Sequence, residues 1–459
     1  MNKIKNFFKK YFGGDPVIWF VFLAMCVWSV IAFFSASSKL VFSDEPGFPP
    51  IMVHLFYLLV GIAVAVAILH VPIKIIRLLA YVGLILSFGF LIYVIFKGQD
   101  INEAKRWVKI GFFRFQPSEL AKLSLVIVAA DMLSRIKNPE IDEKKIFWWL
   151  IGISSVICGL IFVENLSTAA LLFSVIIILC FVQKISWKRI GIVVLTVTVL
   201  VSIVFIIAWT TPKDKLPPII DRAVTWVNRI KGDENNIHGK NVKTNIDIID
   251  KITGDTVNFS RYQYYYYKKS NGDSVLYELY SGKVQQKIPD NLKGKVSDKS
   301  NERIITNEQA MNSKIAIARG MPGKFPGNSI QRKYLTYAYA DYIYAIIIED
   351  TGLIGGIIVI ALYLVLLFRA GRITTRSKNV FTSMLVVGLS SLIVMQALIH
   401  MLVVTGFGPV TGQALPIFSR GGTSAIITCI YFGIILNVTR QLKKEEELQK
   451  NESDDREEP

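Results

Sequence analysis

The feature that most constrains this chain is a succession of ten apolar runs, each close to the roughly 20 residues a helix needs to cross a hydrocarbon core about 30 Å thick. They extend from Val17 to Ala36, Ile51 to His70, Leu78 to Phe96, Pro117 to Leu133, Ile146 to Val163, Leu166 to Val182, Ile190 to Thr210, Asp341 to Phe368, Val380 to Val404 and Thr423 to Val438. Lipid offers backbone N–H and C=O groups no partner, so each run is expected to be a helix. The fold class that follows is an all-α polytopic membrane protein of about ten transmembrane helices. The first run follows a lysine-rich start with no A-x-A cleavage signature, which reads as an uncleaved anchor.

A mean hydropathy of +0.44 and 19% charged residues exclude an ordinary soluble enzyme. The charges are unevenly spread: of the 52 Lys and Arg and 35 Asp and Glu residues, about 35 lie between Thr211 and Tyr339. Short loops on the cytoplasmic side are enriched in Lys and Arg. With the N-terminus inside, that side holds Lys3, Lys5, Lys9 and Lys10, then Lys74 and Arg77, Arg135 and Lys137, Lys144 and Lys145, Lys184, Lys188 and Arg189, and Arg369 through Lys378. Both termini are then cytoplasmic and the long charged loop lies outside. The layout is a cytoplasmic amphipathic N-terminus (1–16), helices 1–7 (17–210), an extracytoplasmic loop (211–339), helices 8–10 (340–438) and a charged cytoplasmic tail (439–459).

The net charge of +17 is accounted for by attraction to an anionic inner leaflet, and no nucleic-acid module stands apart from the spans. Cys26, Cys158, Cys180 and Cys429 sit inside apolar runs without CxxC spacing and read as buried small hydrophobes. Ile4, Phe7, Phe8 and Tyr11 fit either a helix lying in the interface or a solvated basic tail. The residues from Arg440 to Pro459 are expected to fray. A loop of roughly 130 residues must carry its own structure or do the work. Its middle supports a small β-rich insertion, because Tyr262 to Lys268 and Ser274 to Tyr280 flank the turn dipeptide Asn271-Gly272.

Charged groups in or beside spans are costly and therefore candidates for function. The first cluster runs from Arg106 and Lys109 to Glu119 and Lys122, behind Pro117 at a helix start. Glu119 and Lys122 are three apart on one face, placed either for a local ion pair or to orient a polar substrate while Arg106 and Lys109 hold a phosphate. The second comprises Gly327-Asn328-Ser329, Asp341 and Glu349, two acids in one span that must face a bundle interior or an aqueous groove. The third, Pro409 to Ser424, is broken by Gly and Pro. It is either a structural re-entrant turn or an anion site at a helix start formed by Arg420 and the backbone up to Ser424.

Taken in this order at these span edges, the clusters resemble the SEDS family (shape, elongation, division and sporulation; the FtsW, RodA and SpoVE group), the FtsW division type more than the RodA elongation type. Ser35-Ala36-Ser37, Arg106-Trp107 to Lys122, Ala316-Ile317-Ala318, Gly327-Asn328-Ser329, Asp341-Tyr342-Ile343, Glu349 with Gly352, and Pro409 to Ser424 carry the resemblance. It implies a peptidoglycan glycosyltransferase that polymerises lipid II at the outer face of the bacterial cytoplasmic membrane, during septal cell-wall synthesis. It also implies as partners a class B penicillin-binding protein (the transpeptidase) and other divisome proteins. The substrate-binding set would be Arg106, Lys109, Glu119, Lys122, Asp341, Arg420 and Ser424.

The family pattern places its catalytic carboxylate in the outer loop. Counting back from Arg319-Gly320 puts Glu302 there, with Asp298 four residues earlier and Asp233 on the near side of the insertion as further candidates. The usual D-P-x-G-x-G-Y run is absent. No dedicated metal-ligand cluster is visible, and a divalent cation (Mg or Mn) is the one cofactor a pyrophosphate leaving group invites. The rival readings are a lipid II translocase, a non-catalytic divisome scaffold and an elongation-type polymerase.

Overall fold

A computed structural model describes residues 13–41, 50–97, 99–101, 104–110, 113–210, 227, 247–249, 256–258, 264–268, 274–278, 284–287, 312–320, 329–330, 335, 339–408, 412–419 and 422–457. Each apolar run forms one long helix: α1 (Pro16–Val41), α2 (Pro50–Ile68), α3 (Ile73–Lys97), α4 (Pro117–Ser134), α5 (Glu143–Glu164), α6 (Leu166–Val182), α7 (Trp187–Thr210), α8 (Ile343–Arg376), α9 (Val380–Val404) and α10 (Thr423–Glu457). Eight of these are long and apolar enough to cross a membrane. The other two are α4, which carries Glu119, Lys122 and Asp131, and α6, which has 17 residues. These two lie in the bundle interior, and Ser124 to Asp131 of α4 are buried on every side. The periphery is lipid-like in the opposite sense, with Leu78, Leu79 and Ile85 of α3 and Leu195, Leu200 and Ile206 of α7 turned outward.

Successive helices run in alternating directions, so the bundle has a loop end, where 211–339 emerges, and a terminal end, where α1 begins. At the terminal end Asp15 caps α1 by accepting from Val17 N at 2.9 Å, and its other oxygen pairs with Arg369 of α8 at 2.6 Å. Its own N–H donates to Thr439 of α10 at 3.0 Å. Asn437 of α10 closes the open end of α2 by donating to the carbonyls of Ile68 and Val71, at 2.6 and 2.7 Å. Replacing Asn437 by Ala takes the side-chain donor from the Val71 carbonyl and leaves the Ile68 carbonyl with Val71 N alone, at 3.0 Å. The expected loss is about 1–3 kcal/mol, read as a lower melting temperature in detergent, and Asn437→Asp, which cannot donate when ionised, should fare no better.

The structure departs from the sequence reading in three places. Asp341 sits in the turn ahead of α8 rather than in the span, which leaves Glu349, fully buried, inside the helix. Residues 440–457 continue α10 as helix instead of fraying, and Lys443 at the start of this extension donates to the Gly14 carbonyl at 2.7 Å. Finally, the stretch before α4 is a small antiparallel sheet, β1 (Gln99–Ile101), β2 (Ala104–Ile110) and β3 (Phe113–Phe115), in that order.

In the long loop, β4 (Asp247–Ile249) pairs with β5 (Thr256–Asn258), and β6 (Tyr264–Lys268) pairs with β7 (Ser274–Glu278), which also pairs with β8 (Val284–Lys287). The β6–β7 register sets Lys268 opposite Ser274, so Asn271-Gly272 falls in the connection, as the turn signal predicts. All four cysteines are buried and free.

Candidate functional site

Pro117 opens α4 as its first residue, where a missing N–H costs nothing, and puts Glu119 and Lys122 within its first two turns. The Lys122 ammonium is completely buried. It lies 2.8 Å from Glu119 Oε1 and donates to Gln396 Oε1 of α9 at 2.9 Å. A buried ammonium is tolerable only with partners of this kind, and here it has one anion and one neutral amide.

Gln396 in turn donates to the Ala414 carbonyl at 2.9 Å, bringing the ion pair against residues 412–419, which re-enter the bundle without regular structure. Side chains from four helices hold that segment. Gln413 donates to Thr168 of α6 at 2.6 Å, and its carbonyl meets His400 Nδ1 of α9 at 2.7 Å. Tyr363 of α8 donates to the Pro416 carbonyl at 2.7 Å, and Ser29 of α1, backed by His54 of α2, reaches that of Ile417 at 2.8 Å. Ser419 closes the segment on itself by accepting from Leu415 N at 2.8 Å, and donates to the Ala340 carbonyl at 2.5 Å, next to Asp341. The segment thus connects the Glu119–Lys122 pair to the turn that bears Asp341.

Alongside it, α8 begins as a buried half-helix, Ile343 to Asp350, and is kinked at Gly352, whose φ of 74° suits only glycine without strain. Within this half-helix the Glu349 carboxylate accepts from the Ser329 hydroxyl and from Ile330 N, the latter at 3.0 Å. The end of the long loop is fastened here. Residues 312–319 form a further short helix whose Ser313 donates to the Val404 carbonyl at 2.7 Å.

Of the residues singled out from sequence, Glu119 and Lys122 pair directly, Asp341 joins them through Ala340 and Ser419, and Ser424 is half-buried at the start of α10. Arg106 and Lys109 lie on β2, with Lys109 opposite Arg114. Glu302, Asp298, Asp233 and Arg420 lie outside the described residues. Among the described residues no group of three or more His, Cys, Asp and Glu side chains gathers to hold a metal ion. Sequence reasoning passed over Gln396 and His400, although a Gln and a His four apart inside a membrane span were signal enough.

This architecture defines a multi-pass membrane protein with a polar site buried at one end of its helical bundle. The chain belongs to the FtsW/RodA/SpoVE family of cell cycle proteins, which it matches over residues 15–238 and 296–444. Among its relatives, the probable peptidoglycan glycosyltransferase FtsW of Hahella chejuensis is 26% identical over 392 residues, covering 84% of this chain and 79% of the relative. The peptidoglycan glycosyltransferase MrdB of Escherichia coli K12 is 22% identical over 428 residues, covering 92% and 93%. The same fold occurs in a chain of a peptidoglycan synthase complex that coordinates polymerization and crosslinking, with a TM-score of 0.63 at 19% identity over 94% of this chain and 98% of that one. It occurs also in the rod shape determining protein RodA of Thermus thermophilus, with a TM-score of 0.57 at 17% identity over 94% and 98%.

Proposed function

We propose that this protein is a peptidoglycan glycosyltransferase that polymerises lipid II on the outer side of the bacterial cytoplasmic membrane, in septal wall synthesis. The observation that carries the reading is the fully buried Lys122, held by Glu119 and Gln396 at the loop end of the bundle, beside the re-entrant segment. A buried cation near a membrane surface suits a pyrophosphate leaving group, whose charge grows as the glycosidic bond breaks. Arg106 and Lys109 on β2 add positive charge at the same end.

In the proposed reaction a loop carboxylate takes the proton from the 4-hydroxyl of one lipid II. The freed oxygen attacks the anomeric carbon of the lipid-linked chain. The bond from that carbon to the pyrophosphate oxygen breaks, undecaprenyl pyrophosphate departs with the electron pair, and inversion gives a β-1,4 linkage. The names of the relatives and the synthase complex support this activity and a class B penicillin-binding protein as partner.

The test is polymer formation from purified lipid II by the full chain with its cognate transpeptidase, with magnesium, manganese or a chelator. Glu302→Gln, Asp298→Asn and Asp233→Asn are compared with wild type. One well-folded variant should lose product by roughly 100-fold or more, as expected for removal of a general base. Polymer from all three at wild-type level would overturn the loop-acid mechanism. No polymer from wild type under any condition would favour the scaffold or the translocase.

A further inference from the structure

The terminal end of the bundle holds a second charged cluster, far from the site described above. Asp131 of α4 is 1% exposed, and two arginines bracket its carboxylate. Arg135 Nη2 donates to Oδ2 at 2.6 Å, while Arg77 Nε of α3 lies 3.1 Å from Oδ1. Tyr81 also donates to Oδ2, at 2.7 Å. Two cations against one anion leave an excess positive charge. They also leave donors unused: among the described residues the Nη groups of Arg77, and Nη1 and Nε of Arg135, make no hydrogen bond. A guanidinium has five N–H donors in a fixed fork that matches phosphate oxygens.

Both arginines are within reach of the membrane surface, their side chains being 39% and 54% exposed. Arg77 is nevertheless not free to wander, because its guanidinium carbon sits 4.2 Å from the centroid of the buried Phe381 ring at the start of α9. Leu78, Leu79 and Val82 of α3 are exposed on the side of that helix turned away from the Asp131 contact, so an apolar face adjoins the charges around the helix. Trp148 and Trp149, exposed on α5, mark the interface level at this end of the bundle. A pinned cationic pair at the membrane interface, bordered by an apolar helix face, sets a phosphate-binding surface beside one suited to acyl chains.

We infer that Arg77 and Arg135 bind the phosphate headgroup of an anionic phospholipid in the leaflet surrounding the terminal end of the bundle. Asp131 and Phe381 act as positioning residues that hold the two guanidiniums side by side. The inference depends on neither the polymerase reading nor the proposed orientation, since it concerns only which leaflet-facing groups converge.

The test uses the full chain, purified in detergent and delipidated, then titrated with phosphatidylglycerol or phosphatidylcholine. Retained lipid is counted by native mass spectrometry. Wild type should retain phosphatidylglycerol in preference to phosphatidylcholine, and R77Q/R135Q should lose the preference by about fivefold for each arginine. R77K/R135K, which keeps the charge without the fork, should fall between. Arg135 is exposed enough that R135Q alone keeps the comparison decisive if the double variant does not fold. Equal retention of the two lipids, or the same preference in R135Q as in wild type, would overturn the inference. Displacement of phosphatidylglycerol by millimolar inorganic phosphate would replace the lipid with a soluble anion as the ligand and overturn it equally.

Discussion

Lys122→Met is expected to abolish glycan polymerisation and to destabilise the protein at once. Removing the ammonium leaves Glu119 buried without its cation and Gln396 Oε1 without its donor. Breaking a buried ion pair by deleting one partner costs roughly 3–5 kcal/mol, and the unpaired amide oxygen adds about 1–3 kcal/mol. The two roles separate in the double variant E119L/K122M. Exchanging both members of a buried pair for apolar residues is often neutral, so this variant should melt well above K122M. On the proposed reading it should still make no polymer, because the cation assigned to offset the leaving group's charge is gone. Melting temperature and lipid II turnover, measured on the same preparations, check both halves. Wild-type activity in the double variant would reduce the pair to a structural element.

The second large effect is expected at Gly320. A methyl group there would sit 2.3 Å from the Ile348 carbonyl oxygen and 2.8 Å from its carbon, both backbone atoms that no rotamer change can move. Overpacking of this kind typically costs about 1–3 kcal/mol. Gly320→Ala should therefore push residues 312–320 off the buried half-helix at the start of α8. The same half-helix carries Glu349, which fastens Ser329 and Ile330, so the end of the long loop is displaced with it. Polymer yield should fall by about tenfold or more, in line with the sensitivity of rates to displacements of about 1 Å. Gly152→Ala and Gly371→Ala provide the contrast, because beyond the local helix backbone no heavy atom lies within 4 Å of a Cβ at either position. In a helix interior that exchange is worth about 0.5–1 kcal/mol in favour of Ala. Comparable losses in all three variants would count against the clash.

The ten helices were legible because a hydrocarbon core imposes one length and one composition on whatever crosses it. Even α4, with three charges, was recognisable from Pro117 and the apolar residues behind it. Strands β1 to β3 were not, since β1 and β3 have three residues each and β2 carries three cations without a clear alternation. The helical extension of α10 was hidden because a charged composition is shared by disordered tails and by solvated helices. Within the site, Glu119 and Lys122 could be paired on paper. The bonds from Gln396, His400, Tyr363 and Ser29 to the re-entrant segment could not, because a backbone carbonyl as acceptor leaves no trace in the sequence of the segment that supplies it.

That same choice of acceptor bears on how proteins of this architecture can diverge. Carbonyls at Gln413, Ala414, Pro416 and Ile417 are gripped by side chains from other helices. Most exchanges within the segment keep a carbonyl in place, whereas an exchange at Tyr363, Gln396 or His400 deletes a donor outright. The tolerance to mutation is therefore inverted relative to an ordinary loop on a rigid scaffold. Apart from Gln413 and Ser419, whose own side chains are bonded, the segment keeps its anchorage through exchanges that fit its buried surroundings, and the helices behind it carry the burden of remaining the same.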